Sequence, residues 1–225
     1  DHDIAQGNWD CPYRPTPLQY EVDGKKYFNE RPTSTQQTGF SYVAQLRSWL
    51  PRELGGILWF GNDDGNMIAY VPIYCSNTER AECFNTPGAD AVTFSDKNAF
   101  WVCNWVSNMV YPRYSQLFPS LKAVRDSLEN AYFAAQPEVE AKALSLYKTD
   151  KSAAVKYLND YSIQKSNEML ARWKQLAIYL IVKYNDMAVK PEKDGKFLKT
   201  STGLGERVAR PGYSDYMKHE IVKQT

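Results

Sequence analysis

Two kinds of side chain in this sequence could take part in catalysis: the cysteine thiols and a pair of adjacent carboxylates. The cysteines lie at positions 11, 75, 83 and 103, and the carboxylates are Asp63 and Asp64 in the segment NDDGN. A thiolate is a strong nucleophile, and two neighbouring carboxylates can divide the roles of acid and base between them. NDDGN is also a typical turn sequence, and turn formation already explains both aspartates.

The cysteines show no metal-binding pattern. None of them forms a C-x-x-C pair, and His2 and His219 are the only imidazoles in the sequence. We therefore expect no metal site and no cofactor. Cys75 and Cys83 flank the segment SNTERAE, which a disulfide could close in an oxidising compartment, and two buried free thiols are the alternative. Cys103 lies on an apolar helical face and is predicted to be a core residue.

Composition indicates a folded chain without a nucleic-acid or membrane partner. Of its 225 residues, 43% are hydrophobic and 14% aromatic, which is ample for a core in one large domain or two small ones. The formal net charge is +1, so no broad field favours nucleic acid or an anionic membrane. No apolar stretch approaches the roughly 18 residues of a spanning helix.

Apolar periodicity predicts the elements of the first half. Between Phe40 and Leu50 the apolar residues recur at three- and four-residue spacings, which predicts a short helix ending before Pro51. GGILWFG and MIAYVPIYC follow and predict a β-hairpin around NDDGN. Both runs are almost continuously apolar, so we expect the hairpin to be covered on both faces, with Pro72 at an edge or a bulge.

The second half reads as helical from position 98 to about 185. Ser95 or Asp96 is predicted to cap a first helix, which YPRYSQLFPS is expected to interrupt. This helix is predicted to run through Phe100, Trp101, Trp105, Met109 and Val110. A second helix is predicted over 120–148, with a possible break at Pro137, and a third over 152–184. The polar tail predicts a hairpin-like loop and a short helix over 214–223.

These patterns divide the chain into four segments. We expect an extended arm over 1–38 that contains the turn VDGKK, then a helix, hairpin and loop over 39–95. A helical layer over 96–188 and a C-terminal tail over 189–225 follow. The predicted fold class is α+β, with all four segments belonging to one domain.

The ordered series STQQTGFSYVAQLRSWLPRELGGILWFG, DKNAFWVCNWVSNMVYPRYS and RWKQLAIYLIVKYND resembles the C-terminal part of bacterial cysteine dipeptidases of the Ntn-hydrolase superfamily, cysteine peptidase family 69. The likeness extends over nearly the whole chain, from about WDCPYRPTP to RPGYSDYMKHEIVK. It implies an αββα sandwich and hydrolysis of dipeptides as a thiol protease. The family nucleophile is a cysteine that autoprocessing exposes at the mature N-terminus, with its own α-amino group as the local base.

The chain departs from the family pattern because it begins at Asp1 and its first cysteine is Cys11, in a proline-rich connector. We therefore expect a C-terminal portion, inactive alone, whose partner is an N-terminal portion of the same enzyme that carries the nucleophile. The dipeptide substrate and a possible homo-oligomer are the other expected partners. The sequence does not distinguish a cytoplasmic enzyme from one that is exported to the periplasm or secreted.

The resemblance also directs attention to the polar loop before position 40. An arginine commonly lies beside the nucleophile in the superfamily, and Arg31 is the candidate by its order along the chain. Thr35, Gln36 and Gln37 are candidates for hydrogen bonds to the substrate backbone or oxyanion. A structural role for Arg31 and a cap for the helix predicted after the loop are the alternatives. Arg47, among apolar neighbours, is predicted to form a structural ion pair.

Two other functions remain open at the level of sequence. A noncatalytic α/β binding or assembly module would explain why no complete catalytic set is present. An acyltransferase of the same superfamily would pass the acyl group to an amine instead of water.

Overall fold

A three-stranded antiparallel sheet forms the centre of the structure, a computed structural model that describes residues 4–225. Its strands are β3 Phe40–Leu46, β4 Gly56–Asn62 and β5 Val71–Tyr74, in the order β3-β4-β5. The predicted hairpin is confirmed as β4 and β5, and both strands are largely buried. Pro72 lies on β5, an edge strand, as its missing N–H requires. Residues 67–70 precede β5 instead of belonging to it.

The helix predicted between Phe40 and Leu50 is wrong. Residues 40–46 form β3, which pairs with β4 along its whole length, from Phe40 opposite Asn62 to Leu46 opposite Gly56. The apolar spacing fits a helix, but FSYVAQL is also rich in aromatic and β-branched residues, and a paired strand satisfies its backbone groups. The helix α1 comes later and is short, Arg52–Gly55, directly after Pro51.

Three helices cover the β4–β5 hairpin. They are α2 Ala99–Val110, α3 Tyr114–Tyr147 and α4 Lys151–Tyr184. The long helices α3 and α4 pack along each other, and α4 also contacts α2 and β5. The third predicted helix is confirmed to within one residue, and the Asp150 side chain caps it by accepting from the Ala153 N–H at 3.0 Å.

The start of this helical layer differs from the prediction. The cap of α2 is Asn98, whose side chain accepts from the Trp101 N–H at 3.2 Å. Only a 3-10 turn, Tyr111–Arg113, separates α2 from α3. Pro119 and Pro137 lie inside α3 without dividing it. Each proline removes one intrahelical hydrogen bond, and packing against α4 offsets that loss.

The two ends of the chain form small hairpins on the surface. β1 Gln19–Val22 and β2 Lys25–Phe28 meet at Asp23 and Gly24, whose positive φ angles are those of a type I′ turn. The predicted turn is therefore correct, and the hairpin that it closes occupies residues 19–28 of the segment predicted as an extended arm. In the tail, β6 Glu192–Lys193 pairs with β7 Lys196–Phe197, and the helix α5 covers Asp215–Lys223, so the hairpin-like loop and the short helix are confirmed. The side chain of Ser214, which the prediction counted as helical, caps α5.

The hydrophobic core lies between the β4–β5 hairpin and the helices α2, α3 and α4. Cys103 is buried there, as predicted. Cys75 and Cys83, for which a disulfide and two buried free thiols were the alternatives, are both free thiols. Cys83 is buried in the 3-10 turn Glu82–Phe84, whereas Cys75 is exposed after β5. Within residues 4–225, no helix is long and apolar enough to cross a membrane. His2 lies outside the described residues.

Candidate functional site

The turn after β4 buries the two adjacent carboxylates. Asp63 and Asp64 are both 0% exposed. The Asp63 N–H donates to the Gly39 carbonyl at 2.9 Å, and Asp64 accepts from the Asn66 N–H at 3.0 Å, which is an Asx turn. A Cβ at Gly65 would lie 2.8 Å from the Tyr70 hydroxyl and 3.0 Å from Ser41 Oγ. The turn interpretation of NDDGN is therefore correct, and it places both carboxylates in the protein interior.

Asp63 faces the helix α2. Its two carboxylate oxygens accept from Asn104 Nδ2 at 2.9 Å and from Ser107 Oγ at 2.5 Å. Burial raises the pKa of Asp63 to about 6, although both of these hydrogen bonds favour the charged form. This carboxyl therefore gains or loses its proton near pH 6, which is close to the pH at which a catalytic acid or base has to act.

Asp64 faces the other way and is the centre of a group of polar side chains. It accepts from the Ser34 hydroxyl and, at 3.0 Å, from the Tyr111 hydroxyl. Asn66 joins the group because its Nδ2 donates to Tyr13 Oη at 3.3 Å and to Tyr114 Oη at 3.1 Å. We call this set the Asp64 cluster, formed by Tyr13, Ser34, Asp64, Asn66, Tyr111 and Tyr114.

The tyrosines of the Asp64 cluster are held in the neutral form. Burial raises the pKa of Tyr111, and the charges of Asp64 and Asp63 raise it further. Burial also raises the pKa of Tyr13, with Asp64 again contributing. The rings of Tyr13 and Tyr111 meet edge to face with centroids 5.0 Å apart. These hydroxyls are therefore neutral: the Tyr111 hydroxyl donates to Asp64, and the Tyr13 hydroxyl accepts from Asn66.

One cation lies at the border of the Asp64 cluster. Arg125 Nη1 donates to the Asn66 backbone oxygen at 2.8 Å, and the guanidinium pairs with Asp126 at 3.0 Å. Its guanidinium carbon lies 5.8 Å from the centre of the Phe118 ring. Because Arg125 belongs to α3, it fixes the turn of the hairpin against the helical layer.

The structure brings most of the predicted polar loop next to the Asp64 cluster. Thr35 is buried and forms a local turn with Thr38, whose N–H donates to the Thr35 carbonyl at 3.0 Å. Gln36 Nε2 donates to the Arg14 carbonyl at 3.4 Å, and Gln37 Nε2 to Thr16 Oγ1 at 3.3 Å. The loop therefore lies on the segment after Cys11, and it caps no helix because a strand follows it.

Arg31 and Cys11 differ from Thr35, Gln36 and Gln37 in their surroundings. Arg31 is exposed. Cys11 is half-buried, and its pKa is raised, mainly by desolvation and to a smaller extent by the charge of Asp64. A raised pKa disfavours the thiolate, so Cys11 has none of the activation that a cysteine nucleophile requires. Burial likewise raises the pKa of Cys83 to about 11 and that of Cys103 well above its usual value.

Arg47 forms the structural pair that its surroundings predict. It lies just after β3, is 6% exposed and pairs with Glu140 of α3. Arg47 Nη2 also donates to the Leu54 carbonyl at 3.1 Å, and Nε to the Gly55 carbonyl at 3.3 Å. The predicted pair is therefore confirmed, although the residue follows a strand and not a helix.

Sequence reasoning did not find the Asp64 cluster. Its members come from positions as far apart as Tyr13 and Tyr114, and turn chemistry was a sufficient explanation for Asp64. The available signal was the concentration of tyrosine in YPRY, which supplies two of the hydroxyls. Within residues 4–225, no group of histidine, cysteine or acidic residues is arranged to hold a metal ion.

The matching region of a known protein family includes the whole Asp64 cluster. The model of peptidase family C69 matches residues 9–127, so this chain belongs to peptidase family C69. The resemblance detected in the sequence is thereby confirmed. The matched region begins at Trp9, ends within α3 and is shorter than the likeness over the whole chain.

The chain is also similar to a curated protein described as probable dipeptidase B from Streptococcus pyogenes serotype M1. The two are 21% identical over 150 residues, which are 67% of this chain and 30% of that relative. The chain therefore spans about 30% of the length of the curated relative that it matches.

Proposed function

We propose that this chain is the C-terminal part of a dipeptidase that hydrolyses dipeptides with an N-terminal cysteine nucleophile supplied by another part of the same enzyme. The observation that carries the proposal is the family match over residues 9–127. The similarity to a probable dipeptidase supports the substrate class. The raised pKa of Cys11 supports a nucleophile elsewhere, because this half-buried thiol is not activated.

An exposed apolar strand supports the proposal that more of the enzyme packs here. Among residues 4–225, β3 pairs with β4 alone, and its other edge meets no strand. The large apolar side chains on and after β3 are 56–77% exposed, and we call them the β3 surface: Phe40, Tyr42, Val43, Leu46 and Trp49. A long apolar edge strand without charged residues invites pairing with another strand. In our proposal the remainder of the polypeptide covers the β3 surface and extends the sheet into the αββα sandwich.

The polar loop next to the Asp64 cluster is the proposed substrate-facing wall. Its hydrogen bonds at 3.3–3.4 Å leave Gln36 and Gln37 free to exchange partners when a peptide binds. Arg31 is exposed, and its guanidinium is suited to the α-carboxylate of a dipeptide or to the thiolate. The Asp64 cluster holds this loop through Ser34. It thus positions the wall without taking part in bond cleavage.

The intact enzyme provides the test. Denaturing mass spectrometry of the native material should reveal a mature N-terminal cysteine in the same enzyme, on this polypeptide or on a second one. Replacing that cysteine by alanine should abolish hydrolysis of alanyl-alanine, whereas Cys11→Ala, the matched control, should retain it. Full activity without the N-terminal cysteine would refute the mechanism. Transfer of the acyl group to an added amine, with little hydrolysis, would indicate the acyltransferase alternative.

The proposed wall has its own test in the same enzyme. Arg31→Ala should raise KM for dipeptides about tenfold or more, because a charge-assisted hydrogen bond to the substrate carboxylate is lost. Lys26→Ala removes a nearby exposed cation on β2 and should leave KM unchanged. Equal effects of the two substitutions would show that Arg31 acts only through the general charge of this surface.

A further inference from the structure

Of the two tryptophans of the helix α2, Trp105 is exposed to solvent and Trp101 is only partly buried. Its buried residues are Ala99, Val102, Cys103, Val106, Ser107 and Val110. Trp105 is 43% exposed, and Phe94, on the preceding loop, is 54% exposed. Neither Trp101 nor Trp105 belongs to the hydrophobic core or packs against it.

These rings line an open cavity. A hollow of about 380 Å³ is bounded by residues that we call the aromatic slot: Phe94, Trp101, Asn104, Trp105 and Asn108. The Phe94 ring meets Trp101 at a centroid distance of 5.9 Å and Trp105 at 6.3 Å, the latter at 86° between ring planes. The perpendicular arrangement leaves both a ring face and a ring edge for a further ring entering the slot.

The loop that carries Phe94 is fixed at several points. Trp101 Nε1 donates to the Asp90 carbonyl at 2.9 Å, and the Asp90 side chain accepts from the Val92 N–H at 2.9 Å. Further along, Asp96 pairs with Lys174 of α4 at 3.0 Å. The rings are therefore held in place before any ligand arrives, which lowers the entropy cost of binding.

A chain of amides connects the slot to the buried carboxylates. Asn108 Nδ2 donates to the Asn104 side-chain oxygen at 3.1 Å, and Asn104 Nδ2 donates to Asp63 Oδ1 at 2.9 Å. Both Asn108 donor bonds go to Asn104. The carboxamide oxygen of the exposed Asn108 thus faces no donor among the described residues and is the natural acceptor for a ligand N–H.

We propose that the aromatic slot binds the aromatic side chain of a peptide, with Asn108 accepting a hydrogen bond from the peptide backbone. The peptide class rests on the proposed dipeptidase function. None of the slot residues is charged, which favours a neutral group over an ion. The volume lies near the lower end of the range for ligand sites, which suits one side chain instead of a large ligand.

Binding of small peptides to this chain tests the proposal without any need for catalysis. The indole N–H resonances of the 15N-labelled protein are followed in NMR spectra while glycyl-phenylalanine or glycyl-alanine is added. The Trp101 and Trp105 resonances should move with glycyl-phenylalanine, and glycyl-alanine should bind at least about tenfold more weakly because it brings no ring.

Three variants locate the binding. Trp105→Ala should weaken glycyl-phenylalanine binding about tenfold, and Trp105→Phe, which restores a ring, should recover most of it. Tyr213→Ala is the matched control, because it removes an exposed ring from the C-terminal tail and should leave glycyl-phenylalanine binding unchanged. Unchanged far-UV circular dichroism in each variant establishes that the fold is retained.

Several results would overturn the proposal. Equal affinity for the two dipeptides, no shift of the slot resonances, or a Trp105→Ala variant that binds as the wild type each excludes a ring site here. Shifts caused by N-acetylglucosamine and not by the dipeptide would assign the slot to a sugar instead. If the enzyme bound the ring but had no peptidase activity, the proposed function would be refuted and the proposed binding site would stand. If the enzyme hydrolysed dipeptides but the aromatic slot bound no ring, the proposed binding site would be refuted and the proposed function would stand.

Discussion

The Tyr111 hydroxyl donates a hydrogen bond of 3.0 Å to Oδ2 of Asp64. This bond joins the turn between α2 and α3 to the turn between β4 and β5, so the helical layer and the sheet are fixed to each other through a buried charge. Hydrogen bonds to charged groups contribute more than neutral ones, typically about 1.5–3 kcal/mol.

Replacing Tyr111 by phenylalanine should therefore lower the free energy of unfolding by about 1.5–3 kcal/mol, because Asp64 loses a buried donor. Urea unfolding measures the change. Tyr213→Phe is the control, since Tyr213 is 58% exposed and its hydroxyl lies at the surface. An equally small effect of both substitutions would mean that Asp64 finds another donor.

Asp63 should make stability depend on pH. Its pKa is about 6 in the folded protein and near 3.8 when unperturbed. Between these values the folded state binds more protons at Asp63 than the unfolded state, so the contribution of Asp63 to stability is fully present below about pH 4 and is lost as the pH rises to about 6. The loss over this window is roughly 2–3 kcal/mol.

Asp63→Asn should remove this part of the pH dependence. The difference in unfolding free energy between the wild type and the variant, measured in urea from pH 4 to pH 6.5, should change by that roughly 2–3 kcal/mol. Asp160→Asn, at an exposed ion pair with Lys156, serves as the control and should give a nearly constant difference. Parallel pH profiles for wild type and Asp63→Asn would contradict the buried titration.

The Arg47–Glu140 pair should be costly to break from one side. Their side chains are only 5% and 16% exposed, so Arg47→Met leaves a mostly buried carboxylate with fewer partners. We expect a loss of about 3 kcal/mol in unfolding free energy. Lys156→Met, at an exposed pair, should cost less than about 1 kcal/mol. A loss for Arg47→Met as small as that for Lys156→Met would show that burial does not strengthen the Arg47–Glu140 pair.

Gly65 should not tolerate a side chain. A Cβ there would lie 2.8 Å from the Tyr70 hydroxyl, which itself hydrogen-bonds Ser41 at 2.7 Å. Gly65→Ala should therefore destabilise the protein by about 1–3 kcal/mol in thermal unfolding. At Gly39 a Cβ would have no atom within 4 Å, so Gly39→Ala is the matched control. Comparable stability of the two variants would mean that the turn shifts without cost.

The β3 surface should drive association of this chain when it is studied alone. Val43→Lys places a charge on the open edge strand, and we expect less self-association in sedimentation velocity experiments. Ile178→Lys changes an exposed apolar residue of α4 and should leave association unchanged. If Ile178→Lys made the chain monomeric and Val43→Lys did not, the surface that mediates association would lie on the helical layer.

Local sequence was a good guide wherever an element satisfies its own backbone groups. The bounds of α4, the β4–β5 hairpin and the short helix near the C-terminus all follow from periodicity and turn residues. The ion pair of Arg47 was also foreseeable, because a guanidinium among apolar neighbours needs a partner. The family could be detected as well, since ordered stretches of the chain carry it.

The remaining features depend on residues that are distant in sequence. Residues 40–46 satisfy the helical period, and only the pairing of β3 with β4 decides for a strand. NDDGN specifies a turn, but whether its carboxylates face water depends on α2 and on Tyr111, which cover them. Trp105 is exposed because the smaller residues of α2 fill the core. Backbone propensity acts over a few residues, whereas burial and electrostatic environment depend on every element that packs around a group.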